Sequence, residues 1–196
     1  MTRRASVERS TSETEVQVLL DLDNTDDTQI ETGVPFFDHM LDQVARHGRL
    51  GIGVRATGDL EIDAHHTVED VGLALGEALT QALGDKRGIR RYGSALVPME
   101  ECLARVALDI SGRPLLVYDA DIAAESIGQF DVHLTQEFLQ ALTRTGGLTL
   151  HVQLLYGRDP HHSVEAIFKA VAVALGRAVE LDPRDGGRVP STKGML

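Results

Sequence analysis

The chain of 196 residues has one cysteine, Cys102, and no tryptophan. A lone cysteine forms neither an internal disulfide nor a thiolate cluster, so any metal site is left with nitrogen and oxygen donors, and the fold must stand on its core. Basic residues are the minority: 19 Lys and Arg against 30 Asp and Glu give a net charge of −11. That balance argues against broad affinity for nucleic acid or anionic membrane, which is carried by basic surface. An anionic substrate would have to meet a local cluster of Arg and Lys. Long apolar runs are missing too, none approaching the roughly 18 residues that span a bilayer, and the polar opening Met1-Thr2-Arg3-Arg4-Ala5-Ser6 lacks a signal-peptide core. The expectation is a cytoplasmic protein. Its 42% hydrophobic content is ordinary for a soluble core of this length.

Against these absences stand eight histidines, four of them in two near-identical runs: His65-His66-Thr67-Val68-Glu69 and His161-His162-Ser163-Val164-Glu165. Adjacent histidines on a helix leave it about 100° apart and do not naturally chelate one ion together. Each pair is therefore expected to feed two metals. The glutamate, three residues after one histidine and four after the other, shares a face with both and can join either ion. The His-Glu-x-x-His order of zinc proteases and its inverse are absent, which disfavours a metalloprotease.

The duplication extends upstream. The segment from His39 to Leu50 lies over that from Glu137 to Leu148 at an offset of 98, with identities at Leu41/Leu139, Arg46/Arg144, Gly48/Gly146 and Leu50/Leu148. At the histidine pairs the offset falls to 96, so the connection before the motif is two residues longer in the first copy. A repeat on this scale implies a duplicated supersecondary unit. Alternation predicts strands from Val16 to Leu22, Leu103 to Ile110 and Leu115 to Tyr118. Helices are expected from about Phe36 to His47 and from about His133 to Thr145, each stopped by Gly48 or Gly146. A strand follows in each copy (Ile52 to Ala56, Leu148 to Leu154), and then the motif helix, the second capped by Asp159-Pro160. Val164, Ile167, Phe168, Val171 and Leu175 recur at helical spacing and are assigned to the core. The predicted fold class is α+β: one pseudo-symmetric domain of two sheet-plus-two-helices halves, residues 1–92 and 93–181, followed by an exposed tail, 182–196.

The repeat also makes His39 and Glu137 equivalent, each near a helix start and each able to bind metal. The candidate ligands are then His39, His65, His66, Glu69, Glu137, His161, His162 and Glu165, five imidazoles and three carboxylates for two ions. Such mixed donors suit Mn²⁺ or Fe²⁺, with Zn²⁺ as a further choice; Mn²⁺ is preferred. Of the other histidines, His47 fits either a helix C-terminus or a substrate contact, while His133 and His151 are assigned structural roles.

These residues resemble the imidazoleglycerol-phosphate dehydratase family of histidine biosynthesis. The resemblance runs from Glu13 to the C-terminus, through the stretches Gly33-Val34-Pro35-Phe36-Phe37-Asp38-His39-Met40-Leu41, Asp63-Ala64-His65-His66-Thr67-Val68-Glu69-Asp70, Ser111-Gly112-Arg113-Pro114, the second His-His-x-x-Glu and Pro190-Ser191-Thr192-Lys193-Gly194. It implies a fold like the second domain of ribosomal protein S5, two Mn²⁺ per active site, sites built between subunits and a homo-24-mer of octahedral symmetry. It implies removal of water from D-erythro-imidazole glycerol phosphate to give imidazole acetol phosphate, with metal holding the substrate imidazole.

Carried over by position, the resemblance supports the eight ligands with one departure. Many family members have histidine where this chain has Glu137, which either ligates as a carboxylate or accepts a hydrogen bond while water fills the position. Glu13 becomes the proton-transfer residue, with His47 and Asp70 as further catalytic contacts. The phosphate is assigned to Arg91, Arg113, Lys169, Ser191 and Lys193, and the substrate to Glu13, His39 and His47 as well. The tail thereby becomes functional. A metal-storage scaffold would not need Glu13, Arg113, Ser191 or Lys193, and a dinuclear hydrolase would need metal-bound water as its nucleophile.

Overall fold

A computed structural model describes residues 2–25, 28–194 and 196. Two four-stranded sheets carry the same unit twice. In the first, β1 (Arg4–Ser10), β2 (Thr14–Asp21), β3 (Gln29–Glu31) and β4 (Gly51–Gly58) lie in the order β1-β2-β4-β3, with helix α1 (Pro35–Gly48) between β3 and β4 and helix α2 (His65–Leu83) after β4. In the second, β5 (Tyr92–Met99), β6 (Cys102–Asp109), β7 (Leu115–Asp119) and β10 (Thr149–Tyr156) lie in the order β5-β6-β10-β7. Helix α3 (Leu134–Gly146) precedes β10 and helix α4 (Pro160–Val179) follows it. Only the second copy has the small β8 (Ser126–Ile127) and β9 (Phe130–Asp131) hairpin among the described residues. The α+β class and the duplication expected from the sequence are present.

Strand alternation produces the sheets. Along β2, Val16, Val18 and Leu20 are buried while Glu15 and Gln17 face solvent, the pattern of a sheet with one covered face. The polar first segment, for which alternation predicted no strand, forms β1 because Val7 is buried and its backbone pairs antiparallel with β2. The hairpins β1–β2 and β5–β6 share one register: Arg4 pairs with Asp21 as Tyr92 pairs with Asp109, and Ser10 with Glu15 as Pro98 with Leu103.

The helices exchange partners between copies, α1 packing on α4 and α2 on α3. The close approach depends on absent side chains: a methyl on Gly76 of α2 would sit 2.6 Å from the Leu142 carbonyl oxygen of α3. The predicted core stripe of α4, Val164, Ile167, Phe168, Val171 and Leu175, is buried. Asp159 accepts the backbone N–H of His162 at 3.1 Å, the expected cap, with Pro160 opening the helix. The helix stops differ from expectation in one detail. Gly48 and Gly146 remain inside their helices, buried, and the left-handed residue is the next one, Arg49 (φ 55°) or Gly147 (φ 62°).

Candidate metal centre and phosphate cluster

His39 lies on the second turn of α1, and His161 and Glu165 lie one turn apart on α4, so the α1–α4 contact joins donors from both copies. Glu165 Oε2 is 3.1 Å from His161 Nε2 and 3.4 Å from His39 Nε2, and one donor atom from each residue falls within 4.8 Å of the others. Glu165 Oε1 takes Lys169 Nζ at 2.5 Å. Burial pushes the Glu165 carboxyl upward, but the Lys169 ammonium, His161 and His39 outweigh it and hold the group ionised below its ordinary range. A buried carboxylate and two imidazoles converging from separate helices form a donor set that fits a divalent first-row cation.

Adjacent histidines diverge as the helix geometry predicts. While His161 turns to Glu165, His162 turns to Glu101 in the β5–β6 turn, with Nδ1 3.0 Å from Glu101 Oε2. Glu101 Oε1 accepts the Asp159 N–H at 2.8 Å, and the Cys102 thiol at 3.2 Å. The Asp159 contact foremost, then His162, draws the Glu101 carboxyl far below the carboxylate range. Glu101 in turn raises His162 above the usual imidazole value. In the first copy His65 Nε2 is 3.8 Å from Glu69 Oε2, and the His65 ring stacks on that of His133 with centroids 6.4 Å apart. His66 turns away to Asp59, Nδ1 to Oδ2 3.0 Å, which raises its pKa. Glu13 Oε2 is 3.8 Å from His66 Nε2.

Of the eight candidate ligands, the structure thus brings three together within one chain and pairs His65 with Glu69. His66 and His162 point away from their neighbours in sequence. Glu137 lies half-buried on α3, and it does not close on His65 and Glu69 as His39 closes on His161 and Glu165. Asp59 and Glu101 are partners that the sequence alone did not single out. Glu101 was recoverable, because the shared hairpin register makes it the counterpart of Glu13. Asp59 lies in the connection that is longer in the first copy.

The remaining candidates are dispersed. Asp70 is buried; its Oδ1 takes Arg9 Nε at 2.7 Å and its Oδ2 the Thr14 hydroxyl at 2.5 Å, tying α2 to the strands on either side of the Glu13 turn. His47 lines a cavity of about 630 Å³ with Arg3, Arg49 and Arg177, and partial desolvation, then Lys169 and Arg46, lower its pKa. Arg91 makes a two-pronged contact with Asp109 at 2.7 and 3.1 Å and donates to the Pro190 carbonyl at 2.9 Å. It thereby holds the tail bearing Ser191 and Lys193, whose residue Leu196 reaches the exposed Gly112-Arg113 turn. The tail is consequently not a loose end. The Arg91 backbone N–H donates to the carbonyl of Ala178 in the last turn of α4. His161 is in the first turn of that helix, about 25 Å away at 1.5 Å per residue.

Residues 32–175 match the family model for imidazoleglycerol-phosphate dehydratase. A relative of that name from Paracoccus denitrificans (strain Pd 1222) is 59% identical over 194 residues, 99% of this chain and 100% of the relative. One from Alkalilimnicola ehrlichii (strain ATCC BAA-1101 / DSM 17681 / MLHE-1) is 57% identical over 196 residues, 100% of both chains. Crystal structures of imidazoleglycerol-phosphate dehydratase from Staphylococcus aureus and Pyrococcus furiosus, the latter in complex with (S)-C348, each superpose with a TM-score of 0.84. They share 37% and 36% identity, covering 91% and 97% of this chain and 99% and 100% of their own.

Proposed function

Because the chain belongs to the imidazoleglycerol-phosphate dehydratase family, a lyase family of histidine biosynthesis, we propose that it removes water from D-erythro-imidazole glycerol phosphate with two Mn²⁺ per active site, giving imidazole acetol phosphate in the cytoplasm. The observation that carries this reading is the convergence of His39, His161 and Glu165 from two helices of two repeat copies. His39, His161 and Glu165 would hold one ion, and His65, Glu69 and Glu137 the other. His66 and His162, turned to Asp59 and Glu101, would complete ions on neighbouring subunits. When bound, the ions would act as Lewis acids on the substrate imidazole.

The chain's own groups account for the rest. Glu13, half exposed in a turn anchored by Asp70, takes the proton from carbon. Hydroxide leaves the neighbouring carbon and takes the proton that Glu13 removed, forming water, and the enol that remains becomes the ketone as its hydroxyl proton is replaced by one on the carbon that lost hydroxide. Arg113, Ser191 and Lys193 hold the phosphate, with Arg91 fixing the tail that presents two of them and Lys169 approaching from beside Glu165. His47 is a further substrate contact.

The separation along α4 supports a site shared between subunits. A three-carbon phosphate ester cannot bridge about 25 Å from the first-turn histidines of α4 to the tail anchored by Arg91, so the tail's phosphate contacts would serve another subunit's metal ligands while Lys169 acts beside its own Glu165. A closed homo-24-mer of octahedral symmetry would satisfy that demand at every site. The test is to reconstitute the metal-stripped protein with Mn²⁺, measure its solution mass, and follow acetol product from imidazole glycerol phosphate. Assembled, Mn²⁺-loaded protein that yields no product refutes the assignment.

A further inference from the structure

We infer that Glu101 is a positioning residue that fixes the ring of His162 for metal binding, and that Asp59 does the same for His66. The inference rests on the metal-dependent reading above but concerns residues outside it. A histidine that binds metal through one ring nitrogen usually donates the other N–H to a carboxylate or carbonyl, which sets tautomer and orientation. An ionised carboxylate only accepts. With Glu101 Oε2 3.0 Å from Nδ1 of His162, the neutral ring carries its hydrogen on Nδ1 and leaves the Nε2 lone pair free for a metal. Glu101 is itself immobilised from two elements, through the Asp159 N–H at the start of α4 and the adjacent Cys102 thiol. In the first copy Asp59 receives Nδ1 of His66, its oxygens at 3.0 and 3.2 Å.

The two copies therefore reach the same ring geometry with carboxylates from different places. Glu101 comes from the β5–β6 turn. Its counterpart in the β1–β2 turn, Glu13, is spared that duty because the longer connection between β4 and α2 supplies Asp59. Glu13 is left 3.8 Å from Nε2 of His66, the nitrogen a metal would occupy, and its side chain is 50% exposed. A rival reading makes Glu100, Glu101 and His162, whose donor atoms also fall within 4.8 Å, a metal site of their own. It would have to replace the hydrogen bond between His162 Nδ1 and Glu101 Oε2.

The experiment uses full-length, histidine-labelled protein. Magic-angle-spinning ¹⁵N spectra of the metal-free wild type, at a pH where the rings are neutral, should show His162 and His66 as Nδ1–H tautomers. Nε2–H in the wild type overturns the proposal without any variant. In Glu101→Gln the amide keeps a carbonyl for the Asp159 N–H but offers His162 a donor, so His162 should switch to Nε2–H while His66 does not. Mn²⁺ titration followed by electron paramagnetic resonance should then show affinity about 10- to 100-fold weaker. Asp59→Asn should mirror this at His66. An unchanged tautomer, or affinity within twofold of wild type, refutes the positioning role, and loss of whole ions at saturating Mn²⁺ favours the rival site and overturns it too. None of these readouts uses substrate, so a failed dehydratase assay would leave the positioning role to stand or fall on its own.

Discussion

Glu13 and Glu101 occupy the same position in two copies of one hairpin, yet the Glu101 carboxylate is bound by His162, the Asp159 backbone and Cys102, whereas among the described residues the Glu13 carboxylate has only a 3.8 Å approach to His66. Equivalent backbone register has put a tightly held carboxylate in one copy and a loosely held one in the other. A group that must accept and then release a proton is better served by the second.

Replacing Glu13 with Gln keeps the shape of the turn and removes the proposed base. Turnover should fall by about 10²- to 10⁴-fold, with metal content by elemental analysis and solution mass unchanged. A loss of metal would instead show that the Glu13 carboxylate helps to hold an ion.

Asp70→Asn keeps a carbonyl for one of the two donors and loses the charge that faces Arg9. About 1.5–3 kcal/mol of stability is expected to go, measured by chemical denaturation of the metal-free protein. Because Thr14 adjoins Glu13, kcat should drop while Mn²⁺ affinity stays within twofold. A rise in KM at constant kcat would mark Asp70 as a substrate contact instead.

Glu137→Ala should lower bound Mn²⁺ from two ions per subunit toward one, and Glu137→His should restore it. Full occupancy in the Ala variant would place Glu137 outside the coordination sphere. The candidate to replace it is then His133, one turn earlier at the start of α3 and stacked on His65.

Mixing two inactive proteins tests the shared site directly. On the proposed roles, His161→Ala lacks a metal ligand and Lys193→Ala a phosphate contact of the tail that Arg91 anchors beside the last turn of α4. Dissociated and reassembled together, they should regain up to about a quarter of wild-type activity per site, from those sites that draw an intact half from each parent. No recovery in mixed assemblies of confirmed mass would mean that each chain completes its own site.

The sequence was most informative where chemistry and periodicity repeat. The two His-His-x-x-Glu runs, the α4 core stripe and the Asp159-Pro160 cap are all local patterns, and the structure places them on helices as expected. The repeat alignment nominated His39 as a ligand but not its partners, because its approach to Glu165 and His161 arises only when α1 of one copy packs on α4 of the other. The strand β1 was illegible because its side chains are mostly polar and only pairing with β2 gives it a partner. Asp59 was hidden for a different reason: a single aspartate in a loop carries no signal until the fold brings His66 against it. The anchoring of the tail by Arg91 was equally hidden, since it depends on a contact between residues 91 and 190 that no local pattern encodes.

The length of α4 has a consequence for the newly made chain. On the proposed shared site, with the tail's phosphate contacts at one end of a rigid rod and the metal ligands at the other, a lone subunit would be chemically silent, and activity would be withheld until enough copies accumulate to meet. Specific activity should then collapse on dilution below the assembly threshold and return on concentration, making the abundance of the protein a control on its own output.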